Sequence, residues 1–109
     1  MLAFSGNAKI FLCKEPIDLR KGFEGLGMIV ESLFGETVTG GAYFAFLNRQ
    51  KDRMKVLYWD GDGLAIWYKR LEKGRFKNQM VGPLMERREF LMMLEGVTPK
   101  RFQKRFRID

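Results

Sequence analysis

The sequence has no histidine, a single cysteine, three prolines and too little negative charge: 13 Asp and Glu stand against 20 Lys and Arg, a formal net charge of +7 over 109 residues. Without histidine, no side chain with an ordinary pKa titrates near neutrality, and the usual base of nucleophilic catalysis is missing. The lone thiol of Cys13 forms no intrachain disulfide and assembles no thiolate metal site, which fits a reducing cytoplasm. No run approaches the ~18 apolar residues of a membrane span, and the N-terminus does not read as a secretory signal. The expectation is a cytoplasmic protein with no membrane partner. The shortage of acids leaves a chain suited to polyanions.

What is present suffices for one modest core, since apolar and aromatic residues make up 46% of the chain. A single domain is expected over residues 1–97, followed by a basic tail or short helix over 98–109. The positive charge is uneven: residues 1–47 hold four basic and five acidic side chains, residues 48–109 sixteen and eight. Solvation alone accounts for many surface cations, so the clustering rather than the total points to a partner.

Residues 9–13, KIFLC, have strand character. From Asp18, a candidate N-cap, the residues Leu19, Phe23, Leu26, Ile29, Val30 and Leu33 recur at helical spacing and predict one longer helix over 18–34. Gly22, Gly25 and Gly27 lower its propensity, and close approach to a sheet would explain them. Gly35 ends it. Residues 42–47, 54–59 and 64–69 then read as a three-stranded antiparallel meander, to which residues 9–13 add a fourth strand. Leu84, Phe90, Leu91, Met93 and Leu94 predict a helical segment over 84–95, stopped at Gly96. Thr98-Pro99 opens a short terminal helix that places Phe102 and Phe106 on one face. The fold class is α+β: a small antiparallel meander sheet packed with a longer N-terminal helix and a C-terminal helical segment.

The turn Asp60-Gly61-Asp62-Gly63 invites a metal, because paired carboxylates hold divalent cations, but it would need a distant third ligand such as Glu72 or Glu86. Asp-Gly dipeptides are strong turn formers, so these four residues are read as a structural turn, with no metal and no cofactor. Residues 20–25 lack the spacing of a phosphate loop. Cys13 has no base beside it and is read as core. No arrangement names a catalytic site, and the chain is read as a non-enzyme.

Arg49, Lys51, Arg53, Lys69, Arg70, Lys73, Arg75 and Lys77 come from neighbouring hairpin ends and the loop that follows, and are candidates for phosphate contact. Lys100, Arg101, Lys104 and Arg105 extend the set into the tail. The alternative is a charged sheet edge that deters aggregation. Tyr58, Trp59, Trp67 and Tyr68 suit stacking on exposed bases or, more often, a small core. Trp59, Trp67, Phe102 and Phe106 are the candidates for a protein interface.

The order of these residues carries a resemblance. Residues 16–26, PIDLRKGFEGL, and above all residues 57–76, LYWDGDGLAIWYKRLEKGRF, are similar to the two signatures of the small Orf2-like accessory protein, TnpB, of insertion sequences of the sixty-six type. Glu24 stands where aspartate is common, and Lys77-Asn78 replaces a frequent tryptophan and proline. The resemblance fades beyond Gly96. It implies a non-catalytic accessory role in DNA transposition beside a separate, larger transposase. The expected partners are insertion-sequence DNA, the cognate transposase and other accessory proteins of the element, and no catalytic residues carry over. The alternative is an adaptor that docks on transposase without touching DNA. A metal-dependent nuclease is the third reading.

Overall fold

The computed structural model describes residues 7–77 and 82–95. Tyr43-Phe44-Ala45-Phe46-Leu47 is apolar at every position, a pattern suited to a strand covered on both faces. It forms β2 (Tyr43–Leu47), wholly buried at the centre of a five-stranded sheet. On one side β3 (Arg53–Trp59) and β4 (Leu64–Arg70) complete the expected antiparallel meander. On the other, β1 (Ile10–Leu12) runs parallel to β2, with Ile10 opposite Tyr43 and Leu12 opposite Ala45. β5 (Leu84–Met85) pairs antiparallel with β1 and completes the order β4-β3-β2-β1-β5.

The α+β class stands, but the small, purely antiparallel sheet of three or four strands is corrected to a mixed sheet of five. The chain leaves β1, crosses one face as a helix and re-enters beside β1, a connection long enough to make the pair parallel. The fifth strand has two residues, too few to show a period of two.

The N-terminal helix also starts later than expected. α1 spans Phe23–Ile29, preceded by Gly22 in a non-helical conformation. Asp18 does not cap it: its carboxylate accepts the Arg20 backbone N–H at 3.0 Å and the Arg20 guanidinium at 2.6 Å, which spends its oxygens on a local turn. The path continues with π geometry over Val30–Phe34 and stops at Gly35, whose φ of 64° is left-handed. Close approach to the sheet does not explain the glycines. A Cβ on Gly22 would meet nothing, one on Gly25 would come within 3.1 Å of the Lys21 side chain one turn back, and one on Gly27 would make an ordinary 3.6 Å contact with Val38. The second helix, α2 (Arg87–Leu94), begins after β5 has taken Leu84 and Met85. The stop at Gly96 and the terminal helix with Phe102 and Phe106 lie outside the described residues.

The two helices cover opposite faces. Under α1, Phe44, Phe46 and Leu57 pack with Leu19, Leu26 and Val30. Phe44 stacks on Phe11 at 5.4 Å between ring centroids and lies 5.7 Å from Phe34. Under α2, Ile10, Leu12, Tyr43, Met54 and Val56 pack with Phe90, Met93 and Leu94. Burial on both sides is why β2 reads as one continuous apolar run, whereas the edge strand β4 mixes apolar with polar residues.

Candidate nucleic-acid interface

The basic residues gather at one end of the sheet because a braced turn and a returning loop meet there. Residues 48–52 link β2 to β3, and the Asn48 side chain organises them. Its Oδ1 accepts the Arg53 backbone N–H at 3.0 Å, while its Nδ2 donates to Asp52 at 2.6 Å and to Gln50 at 3.3 Å. Lys51 adopts a φ of 60°, a left-handed conformation uncommon for a side-chain-bearing residue and held here by the turn. After β4 the chain folds back onto this turn. Leu71 N–H donates to the Asp52 carbonyl and Phe76 N–H to the Lys51 carbonyl, each at 2.7 Å. Phe76 is fully buried under α2. That anchor holds the exposed Lys73, Arg75 and Lys77 beside the exposed Arg49 and Lys51.

Strand register then sets which side chains share a surface. Side chains alternate along a strand, and Leu57 and Ile66 face α1, so Arg53, Lys55, Tyr68 and Arg70 project from that same face. Arg53 lies directly opposite Arg70, and Lys55 opposite Tyr68. Like charges placed opposite each other repel, so this pair costs stability and offers a paired cationic site in return. Arg70 is tethered to Glu72 at 3.2 Å in an exposed contact. Beside them opens a groove of about 360 Å³, whose walls include Asp18 and Arg20 on one side and Arg49, Arg53 and Tyr68 on the other. Ile17 N–H donates to the Leu47 carbonyl at 2.9 Å, which seats the residue 16–20 segment against the basic turn. Within the groove the Arg20 guanidinium holds the Asp18 carboxyl well below the usual carboxylate range, so Asp18 stays ionised throughout the neutral range.

Lys69 departs from the phosphate-contact set. It alternates with Tyr68 and so faces α2, where its Nζ donates to the Leu94 carbonyl at 2.8 Å, at the helix C-terminus. Lys69→Met is expected to lower stability by about 1 kcal/mol, roughly 4 °C in Tm, and to leave affinity for any polyanion within about two-fold. A thermal melt and a binding titration on the same variant check both halves.

Among the interface candidates, Trp67 packs against the α2-side core and Trp59 is half-buried at the hairpin end of β3. The Lys100, Arg101, Phe102, Lys104, Arg105 and Phe106 candidates lie outside the described residues. Asp60 N–H donates to the Gly63 carbonyl at 2.8 Å and Gly61 has a φ of 85°, which makes residues 60–63 a hairpin turn. Both acids are exposed, about 20 Å along the strands from the basic end. Among the described residues no third carboxylate, thiol or imidazole groups with them. Burial pushes the Cys13 thiol up, as suits a core residue.

Sequence reasoning left Arg20 and Lys55 out of the site. Alternation from Arg53 could have found Lys55. Nothing in the local sequence brings Arg20 to the turn, because that contact depends on the parallel β1–β2 crossover. Phe23 (49% exposed) and Leu33 (54%) belong to the apolar stripe that the helical spacing predicts, yet the structure leaves them outward, together with Met28 (70%).

No helix among the described residues is long and apolar enough to cross a membrane. No solved structure matches the chain. It is 32% identical over 108 residues to the uncharacterized protein y4jC of Sinorhizobium fredii (strain NBRC 101917 / NGR234), covering 96% of this chain and 92% of that one. It is also 32% identical over 76 residues to the uncharacterized protein y4hO of the same organism, covering 70% and 66%. The family model described as IS66 Orf2-like protein matches residues 8–104, running past Gly96 into the basic tail. With that match spanning both signatures, the chain belongs to the IS66 Orf2-like family, an accessory family of insertion-sequence transposition.

Proposed function

We propose that this chain is a non-catalytic accessory protein that binds the DNA of its insertion sequence, together with the transposase, chiefly through backbone phosphates. The observation that carries the reading is the convergence of Arg49, Lys51, Arg53 and Arg70 with the returning loop that bears Lys73, Arg75 and Lys77. Guanidinium forks and ammonium groups on a braced scaffold contact phosphate oxygens at little ordering cost, and they read base sequence weakly. The folded unit over 1–97 presents this surface, and Lys100, Arg101, Lys104 and Arg105 of the 98–109 tail add to it in the cytoplasm. No cofactor enters the reading.

Anisotropy titrations of labelled element-end DNA and unrelated duplex between 50 and 200 mM salt test it, with and without transposase. About five phosphate contacts give a slope of roughly −4.5 in log K against log salt, a loss of two to three decades across that range. With no histidine in the chain, affinity at fixed salt is expected to change less than about two-fold between pH 6 and 8. Absence of binding until transposase is added would transfer the role to a protein adaptor. The outward Phe23, Met28 and Leu33 favour that second reading, since apolar side chains on an exposed helix suit a protein contact.

A further inference from the structure

We infer that the basic groove takes an unpaired strand, with Tyr68 as the platform on which a base stacks. The inference rests on the DNA-binding reading and deepens it from phosphate attraction to a class of substrate, single-stranded or frayed DNA.

Tyr68 is the aromatic ring of the groove wall, which it shares with Arg53 and the residue 16–20 segment, and it is 51% exposed. Lys55, opposite it on β3, braces the ring. The Lys55 ammonium lies 5.1 Å from the ring centroid and donates to the Lys21 carbonyl at 3.0 Å, tying the ring to the segment before α1. A ring held by a cation on one side and half open to a cationic groove has the two components of single-strand sites, a stacking surface and neighbouring phosphate ligands. Duplex DNA presents phosphates but keeps its bases stacked inside, so Tyr68 adds nothing to duplex affinity. Every base has a π-face, so the contribution is independent of sequence. The alternative occupant of such a ring, a core, is excluded by its exposure.

The test uses the full chain with a 20-nucleotide oligo(dT), the matched 20-base-pair duplex and the duplex carrying an oligo(dT) overhang, at one salt concentration. Oligo(dT) and the overhang are expected to bind about ten-fold more tightly than the duplex. Tyr68→Ala is expected to remove that ten-fold preference while leaving duplex affinity within about two-fold, and Tyr68→Phe to retain it. Equal losses on single and double strands, or no loss on either, overturn the inference while leaving phosphate binding intact. No binding to any of the three overturns the DNA reading as well. A second readout does not depend on the variant's folding: photocrosslinking of wild-type chain to oligo(dT) containing 5-iodouracil is expected to label Tyr68, and a crosslink confined to other residues contradicts the assignment.

Discussion

Replacing Arg49, Arg53 and Arg70 together with alanine is expected to weaken binding of element-end duplex by about 100-fold near 100 mM salt and to make the log K against log salt slope shallower by about 2.7. Each side chain is exposed, and each lies at the end of the sheet where the β2–β3 turn meets the returning loop. The loss is expected to be similar for unrelated duplex, because phosphate contacts position without reading sequence. Folding provides an internal control. Arg53 and Arg70 face each other across β3 and β4, so removing both relieves a like-charge contact, and Tm is expected to stay level or rise slightly. A variant with unchanged Tm and unchanged affinity would remove this surface from consideration. A large fall in Tm would mean that these arginines hold the turn together, contrary to the hydrogen bonds that Asn48 supplies.

The second large effect is structural. Phe44→Ala is expected to cost about 4 kcal/mol and to lower Tm by roughly 15 °C or more, because the ring is fully buried on β2 and stacked on Phe11 with Phe34 beside it. A domain of this size has about 5–15 kcal/mol in all, so the variant sits near its folding threshold. Phe23→Ala provides the contrast. That ring is half exposed at the start of α1, and its loss is expected to change stability by no more than about 0.5 kcal/mol. Urea denaturation of the two variants measures the difference. Comparable costs would mean that the outer face of α1 is covered in solution by a second copy of the chain.

Much of this architecture is legible in the residues themselves. Alternation and the Asp-Gly turn place β3 and β4 to within a residue, and the unbroken apolar run of β2 announces a strand covered twice. The spacing of Leu26 and Val30 gives the buried side of the first helix, and Gly35 its end. What escapes is whatever depends on distant partners. Asp18 has the identity of a helix cap, but Arg20 two residues on competes for its carboxylate and wins. β5 is defined only by its pairing with β1, and two residues carry no periodic signal. Lys69 looks like one more cation beside Arg70, yet strand alternation turns it to the opposite face, where the last turn of α2 supplies a carbonyl. The groove itself joins residues 16–20 to residues 48–53 across a parallel strand pair that no local pattern encodes.

The most direct measurement is amide chemical-shift mapping of the ¹⁵N-labelled full chain during titration with element-end DNA. Shifts are expected to concentrate at residues 17–21, 48–55 and 68–77, with the hairpin at 60–63 and the outer face of α1 unmoved. Shifts confined to Phe23, Met28 and Leu33, or to the acidic hairpin, would contradict the assignment of the basic end as the DNA-binding surface.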